Sequence, residues 1–277
     1  MRAAAAADRA AATAGVQIRE LHGLDEMVEA CRLIQRVWAP DPTTPLMTSE
    51  LMVVLAHAGG YVAGSYEDGR LTGAGVGLLA TSGLHSHIVG LDAHARERDV
   101  GYALKAHQRA WCLARGITEV TWTFDPLISR NAYFNLSKLA AAAPEYLPDF
   151  YGPRSDEHNV GATDRLLIRW DLATERVALA CAGVPHRVDG EDATGDVVVG
   201  LDAGPDGRPV VGRFDGDVVL VRVPHDIAAL RRSDPESAHA WRLAVREVLG
   251  GLMARGRVVR GFSRRGWYVL DRGTESL

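Results

Sequence analysis

The order in which apolar spacing changes along residues 16–171 most constrains the fold of this chain. Alternation with a period of two predicts a strand, and spacings of three and four predict a helix. The predicted helices are Leu24–Trp38, Thr48–Ala58, Val100–Arg115 and Ser129–Ala142. The predicted strands are Val16–Leu21, Gly60–Tyr66, Leu71–Ala80, His85–Ala93, Glu119–Phe124, Tyr146–Tyr151 and Arg165–Asp171. Strands and helices mixed in this order predict an α/β domain over residues 16–172.

Residues 173–277 predict a smaller α/β extension. Strands are expected around the turns at Pro205–Gly207 and Asp215–Gly216, and a last strand covers Val258–Leu270. A helix begins at Asp234 as N-cap with Pro235 as its first residue. Its apolar stripe comprises Trp241, Val245, Val248, Leu249 and Leu252. Since this stripe is too long to leave in water, we expect the extension to pack on the first domain and wall a cleft there. The alternative is a dimerisation or stabilising element.

Helix ends and the N-terminal segment have local signals of their own. Pro40 and Pro42 are expected to end the first helix, and Gly116 fits a C-terminal cap. Residues 1–15 are rich in alanine and lack the apolar core of a signal peptide. We expect them to form a disordered tail or a frayed helix.

Composition excludes several classes of function. Hydrophobic residues make up 47% and charged residues 24% of 277 residues, which is typical of a soluble globular protein. A net charge of −4 argues against nucleic acid as a partner. No apolar run approaches the roughly 18 residues of a membrane span. The three cysteines, Cys31, Cys112 and Cys181, form no close pair, which suits a reducing compartment. We therefore expect a cytoplasmic protein without a metal site or a membrane partner.

The strongest chemical signal is the hexapeptide Arg98-Asp99-Val100-Gly101-Tyr102-Ala103, of the form R-x-x-G-x-A. It lies between a predicted strand and a predicted helix, so its backbone N–H groups point outward at a positive helix end. Gly101 lets a phosphate approach the backbone, Ala103 keeps the next turn thin, and Arg98 can supply a cation. These features fit a pyrophosphate, although a plain helix N-terminus explains the hexapeptide equally well.

The hexapeptide matches the pyrophosphate loop [RQ]-x-x-G-x-[GA] of the GNAT superfamily of N-acyltransferases. The element order over Val16–Asp171 also resembles that family, and residues 104–109, 122–127 and 130–135 are similar to a bacterial subgroup with a C-terminal extension. The resemblance implies a mixed, mostly antiparallel central sheet flanked by helices. It also implies acetyl-CoA or another acyl-CoA as donor, held without a metal.

The resemblance implies a mechanism as well. The fourth and fifth strands splay apart, and pantetheine inserts between them. Backbone N–H groups near Leu91 and Ala93 then bind pantetheine and polarise the thioester carbonyl. His87 is the candidate general base, since an amine must lose a proton before it attacks. A hydrogen-bonded core histidine is the alternative, and a metal pair with His85 would lack an evident third ligand.

The helix after the fifth strand departs from the family pattern. Leu136 occupies the position at which the family commonly has a tyrosine proton donor, so Tyr133, one turn earlier, is the substitute candidate. Asn131 is expected to contact CoA. Asp125 is a candidate for holding the substrate amine, and Arg130 for binding an acceptor carboxylate together with arginines of the extension. Packing, capping or solvent exposure explains each of these residues nearly as well.

The resemblance leaves three functions open. The first is an N-acyltransferase acting on the amine of a small molecule, with amino acids among the candidates. The second is a protein acyltransferase acting on lysine or an N-terminal amine, and the third is a non-catalytic acyl-CoA-binding module. A homodimer is compatible with all three.

Overall fold

The computed structural model describes residues 2–38, 46–152, 154–156, 159–161, 163–188 and 195–273. Its helices are α1 Arg2–Ala14, α2 Leu24–Trp38, α3 Ser49–His57, α4 Val100–Ala114, α5 Ser129–Ala132, α6 Glu175–Cys181, α7 Ile227–Ser233, α8 Pro235–Val245 and α9 Gly251–Ala254. Its strands are β1 Gln17–Glu20, β2 Tyr61–Glu67, β3 Arg70–Ala80, β4 Gly83–Leu91, β5 Glu119–Phe124, β6 Ala142–Leu147, β7 Arg154–Asp156, β8 Asn159–Gly161, β9 Arg165–Asp171, β10 Val197–Ala203, β11 Pro209–Val211, β12 Val218–Arg222, β13 Val258–Phe262 and β14 Trp267–Asp271. None of the helices in these ranges is both long and apolar enough to cross a bilayer.

The chain divides into two compact units that do not follow the predicted boundary after residue 172. The first unit contains Met1–Trp122 and Asp171–Ala182, and the second contains Thr123–Trp170 and Gly183–Leu277. Each unit therefore combines residues from both predicted domains. The expectation that the extension walls a cleft of the first domain stays a prediction.

A mixed sheet in the order β1-β2-β3-β4-β5 forms the centre of the first unit. All neighbours are antiparallel except β4 and β5, which are parallel. Leu33 and Ile34 of α2 pack on one face of the sheet, where Gly90 leaves room for them. Leu104 of α4 packs on the other face, against Leu91. This layered arrangement confirms the predicted mixed, mostly antiparallel sheet flanked by helices.

The alanine-rich N-terminal segment is a helix in the structure rather than a disordered tail. Buried alanines of α1 pack in one cluster with residues of α4. Among them, Ala7 and Ala10 lie in the same cluster as Val100, Ala103 and Ala106. Alanine has the highest helix propensity, and its small side chain lets two helices approach closely. Composition alone was therefore a poor guide to the order of this segment.

Several predicted boundaries need correction. The prolines expected to end α2, at positions 40 and 42, lie outside the described residues. The helix predicted over Ser129–Ala142 is shorter, because α5 continues as a π-helical segment over Tyr133–Lys138 and β6 then begins at Ala142. The single strand predicted over Val258–Leu270 is a hairpin of β13 and β14. Helices α6 and α7 were not predicted.

The second unit is built on a sheet in the order β9-β6-β13-β14-β12-β10-β11. Within it, β13 of the extension pairs with β6 through Val259 and Ala143, and Ser137 Oγ donates to the Phe262 carbonyl at 2.7 Å. The predicted N-cap at Asp234 is confirmed, since its side chain accepts from Ser237 N. The predicted stripe from Trp241 to Leu252 is buried as expected. Extension residues thus complete this unit's core.

Candidate functional site

Strands β4 and β5 separate soon after their parallel pairing begins. Pairing joins Leu84 to Val120 and His85 to Thr121, and the described residues of β4 beyond His85 pair with β3 alone. His85 Nδ1 lies 3.3 Å from Thr121 Oγ1, so a side-chain contact reinforces the last pair. Beyond this point no described strand pairs with that edge of β4, although the Val89 carbonyl accepts from Trp38 Nε1 at 3.0 Å. The splay that the family resemblance implies is therefore present in the first unit.

His87 lies at a bulge of β4. Val76 pairs with Ile88 and Gly77 with Ser86, so His87 is an extra residue opposite the Val76–Gly77 step. Its side chain is exposed, and its ring centroid is 6.4 Å from that of His85. Partial desolvation lowers the pKa of His87 below its usual 6.5. The imidazole is therefore neutral near pH 7, as a proton acceptor must be. Bulges commonly re-aim a side chain beside a functional site.

Lys105 of α4 was not predicted as a site residue. Its Nζ donates to Ser86 Oγ at 2.8 Å and to Gln108 Oε1 at 3.1 Å, and lies 3.7 Å from the centroid of the Trp122 ring. Ser86 and Trp122 are the first residues after the last β4–β5 pair. The ammonium group is therefore buried where the two strands part. Burial lowers the pKa of Lys105 to about 7. No local pattern marks this lysine, because Gln108 and Arg109, three and four residues further on, are polar as well.

The buried amine predicts a specific pH dependence of stability. In the unfolded chain a lysine keeps its proton up to about pH 10.4. Between pH 7 and 10 the unfolded state therefore binds one more proton, and this group alone raises wild-type stability by about 1.4 kcal/mol per pH unit. Lys105→Met lacks this dependence. Denaturant unfolding from pH 6 to 10 measures the free energy of unfolding of both proteins. Above pH 7 the wild type should gain stability relative to Lys105→Met, and below pH 7 the difference between the two should stay constant.

The chain offers a matched control, because Lys138 is its only other lysine. Lys138→Met removes one positive charge from the second unit and should not reproduce the effect of Lys105→Met. A stability difference between wild type and Lys105→Met that is independent of pH would contradict a buried amine whose pKa is lowered to about 7.

The N-terminus of α4 presents the predicted loop as a helix start. Asp99 is the N-cap with left-handed backbone, and the helix begins with the bond from Ala103 N–H to the Asp99 carbonyl at 2.9 Å. The N–H groups of the first turn point out of the helix end, where the helix dipole is positive. A Cβ added at Gly101 would meet only Leu91 Cδ1, at 3.3 Å. The outer side of this turn is thus open to a ligand.

Two of the predicted loop residues have partners that the sequence did not reveal. Arg98 donates to both carboxylate oxygens of Glu67, at 2.7 and 2.9 Å, and these bonds lower the pKa of Glu67. The Tyr102 hydroxyl donates to the Ala180 carbonyl of α6 at 2.7 Å. The positive charge of Arg98 is therefore paired with a carboxylate, and Tyr102 links α4 to α6 by a hydrogen bond.

Leu91 and Ala93 do not lie on one strand as predicted. Leu91 is the last residue of β4, whereas Ala93 begins a 3₁₀ turn over Ala93–Ala95. The chain leaves the sheet at Asp92, whose N–H donates to the Thr72 carbonyl. Only Leu91 keeps the predicted strand position at the opening.

In the second unit Asp125 binds arginines instead of standing free for a substrate amine. Its Oδ2 accepts from Arg242 at 2.6 Å and from Arg231 at 2.8 Å, and its Oδ1 accepts from Leu127 N at 2.9 Å. Burial favours the neutral acid, but the two arginines outweigh it and hold the pKa of Asp125 below its usual value. The carboxylate is buried and accepts from three donors, and its predicted role in holding a substrate amine stays a prediction.

The remaining candidates lie on and around α5. Tyr133 begins the π-helical segment, and its hydroxyl accepts from Arg264 Nε at 3.1 Å. Leu136 is buried in the same segment. Asn131 is half-buried on α5, and Arg130 is exposed beside it. The structure thus brings Tyr133 together with an extension arginine, which the sequence did not predict.

Metal binding finds no support in the histidines of β4. Within the ranges that the structure describes, no group of three or more His, Cys, Asp or Glu side chains is placed to hold an ion. His85 and His87 therefore have no third ligand there.

Comparisons with known proteins give a likeness of fold alone. No family model matches the chain. No curated protein matches it either. Among solved structures, the ribosomal-protein-S18-alanine N-acetyltransferase from Escherichia coli is 13% identical, with 64% of this chain and 98% of that chain covered and a TM-score of 0.47. An N-acetyltransferase from Staphylococcus aureus Mu50 is 12% identical, with 57% and 98% covered and a TM-score of 0.48.

A third similar structure was solved with a ligand. A GNAT family acetyltransferase from Elizabethkingia anophelis with acetyl-CoA bound is 11% identical, covers 57% of this chain and 98% of that chain, and has a TM-score of 0.44. These three solved structures are acetyltransferases, and the third is described as a member of the family that the sequence resembles. With TM-scores below 0.5, these likenesses say nothing about its substrate.

Proposed function

We propose that the chain is an acyl-CoA-dependent N-acyltransferase that transfers an acetyl or other short acyl group to the amine of a small molecule. The observation that carries the proposal is the separation of β4 from β5 immediately beyond His85 and Thr121. In the proposed complex an extended ligand pairs with β4 there as a strand would. The helix end at Gly101 follows β4 in the chain and suits the pyrophosphate of the same ligand.

The residues of the first unit suggest how such a transfer would proceed. The amine nitrogen attacks the thioester carbonyl carbon, the C–N bond forms, and the C–S bond breaks as the thiolate leaves. His87 takes the proton that the attacking ammonium must lose. Backbone N–H groups at the β4 opening near Leu91 stabilise the developing oxyanion. The thiolate takes up the second proton, which the nitrogen releases as the amide forms. Tyr133, the sequence candidate for a proton donor, belongs to the second unit.

Two other functions remain candidates. A protein acyltransferase would use the same opening with a lysine or N-terminal amine as acceptor. A non-catalytic acyl-CoA-binding module would use it without turnover, and the leucine at position 136 keeps this alternative open. The features of the first unit fit all three functions equally well. Turnover and the identity of the acceptor would distinguish them.

Binding and turnover experiments on the full chain test the proposal. We expect acetyl-CoA to bind in a calorimetric titration, and a thiol-release assay to show turnover with at least one member of a panel of small amines. Binding without turnover on small amines, peptides or proteins would favour the binding module. Turnover restricted to proteins would favour the second function, and the absence of acyl-CoA binding would contradict the proposal.

A further inference from the structure

Lys105 is a buried amine that the mechanism proposed above does not use. Its side chain is only 6% exposed, and its Nζ donates to two neutral oxygens, Ser86 Oγ and Gln108 Oε1. Among the described residues no other oxygen accepts from Nζ, and no carboxylate is paired with it. Lysine is almost never buried so completely without an anionic partner, because desolvation of the charge is costly. The position therefore points to a role beyond stability.

The hydrogen bonds of Lys105 leave one donor of the ammonium group for another atom. An ammonium group has three N–H donors, and the two oxygens use two of them. On a further side Nζ lies 3.7 Å from the centroid of the Trp122 ring, which stabilises a positive charge without accepting a conventional hydrogen bond. An atom with a lone pair that comes within reach of Nζ would thus find a donor.

Lys105 lies at the closed end of the β4 opening. Ser86 and Trp122, which its Nζ contacts, are the first residues beyond the last pair of β4 with β5. All three residues belong to the first unit. His87, the proposed general base, directly follows Ser86. A thioester attacked within reach of His87 would release its sulfur at this same end of the opening.

The titratable groups around Lys105 do not neutralise its charge near pH 7. Burial raises the pKa of Cys112 to about 12, so its thiol keeps the proton. Burial, His87 and Lys105 itself lower the pKa of His85, so its imidazole is neutral. Burial also lowers the pKa of Lys105 to about 7. Both of its forms are therefore populated near pH 7, as a group that gives a proton and takes one back requires.

We propose that Lys105 is a catalytic residue that donates a proton to the sulfur as the C–S bond breaks. The inference rests on the proposed function and names a proton donor within the first unit. The sulfur keeps the electron pair of the broken bond and takes a proton from the ammonium group of Lys105. The amide nitrogen releases its second proton, which returns Lys105 to the ammonium form.

Two acyl donors that differ in a single atom test the proposal. They are acetyl-CoA and its analogue with selenium in place of the thioester sulfur. A selenolate is a much weaker base than a thiolate, so it can leave without a proton. We expect the full wild-type chain to use both donors with similar kcat/KM, with the amine that reacts fastest as acceptor. Lys105→Met should lower kcat/KM for acetyl-CoA by about 10²-fold or more, and that for the selenium analogue far less.

A second variant separates proton transfer from charge. Lys105→Arg keeps a positive charge, but arginine does not release its proton at any pH of the assay. It should therefore discriminate between the donors as Lys105→Met does. Lys138→Met is the matched control, because it removes the other lysine of the chain, from the second unit. This control should keep wild-type kcat/KM with both donors.

Three results would overturn the proposal. One is an equal loss of kcat/KM on both donors, which a purely structural role of Lys105 would produce. Another is a wild type that prefers the selenium analogue as strongly as Lys105→Met does. The third is full activity of Lys105→Arg with acetyl-CoA, which would show that charge is sufficient.

Calorimetric titration of the same proteins separates this inference from the proposed function. Lys105→Met should bind acetyl-CoA like wild type. A wild type that neither binds acetyl-CoA nor releases thiol would contradict the proposed function, and the role of Lys105 with it. Wild-type binding and turnover, together with an equal loss on both donors in the variant, would contradict the role of Lys105 alone.

Discussion

Replacing Gly101 by glutamate is expected to abolish acetyl-CoA binding while the protein stays folded. The new carboxylate would stand in the first turn of α4, where the proposed pyrophosphate needs the exposed N–H groups and the positive helix end. The fold should tolerate the change, because the added Cβ meets only the flexible tip of Leu91. Acidic residues also stabilise the first turn of a helix. Calorimetric titration measures the binding, and circular dichroism the melting temperature.

Two further variants at the same position separate the causes. Gly101→Gln has the size of glutamate without its charge, and Gly101→Ala adds only a methyl group. We expect affinity to fall in the order glycine, alanine, glutamine, glutamate. If Gly101→Glu binds acetyl-CoA as tightly as wild type, this helix start does not hold the pyrophosphate, and the proposed function fails with it.

Replacing His87 by alanine is expected to lower kcat/KM by roughly 10²- to 10⁴-fold, the usual contribution of a general base. Because partial desolvation lowers the pKa of His87 below its usual 6.5, the wild-type imidazole is neutral at pH 7. Wild-type kcat/KM should therefore fall as the pH drops through that lowered pKa, where the imidazole becomes protonated. In the variant this acid limb should disappear, and activity should partly recover at high pH, where the free amine is abundant. A pH profile of thiol release from pH 5 to 10 tests both expectations.

His57→Ala is a suitable control, since His57 is an exposed residue at the end of α3. It should keep wild-type kcat/KM and the acid limb. Unchanged activity of His87→Ala near pH 7 would return His87 to a structural role and leave a chain of water molecules as the better base. Loss of acetyl-CoA binding by this variant would instead show that His87 acts in binding.

Local sequence signals were sufficient for most of the first unit. The predicted helices over Leu24–Trp38, Thr48–Ala58 and Val100–Arg115 match α2, α3 and α4 closely, because apolar spacing within each element is enough to indicate it. The helix with its N-cap at Asp234 was predicted for the same reason. Patterns of this kind depend on residues that are close in the sequence, so they can be recognised whatever the element packs against.

Partners far away in the chain explain what the sequence did not reveal. Asp125 follows a strand and resembles a free carboxylate, but its arginines stand 106 and 117 residues further on. Ser137 and Phe262, which join the two chain segments of the second unit, are 125 residues apart. Arg264 and Tyr133 are separated by 131 residues. Neither periodicity nor spacing carries such pairings, since they arise only when the sheet brings the segments together.

The first unit is completed by Asp171–Ala182, a segment that follows the Thr123–Trp170 part of the second unit in the chain. Leu172 N–H donates to the Thr118 carbonyl at 2.8 Å, and Arg109 Nε donates to the Leu172 carbonyl at 3.0 Å. During synthesis on the ribosome, α4 and β5 therefore emerge well before the residues that complete their packing. A nascent chain that so far extends only to Trp122 would expose the apolar residues that α6 covers in the complete unit. The packing of the first unit can therefore be completed only after residues 171–182 have been synthesised.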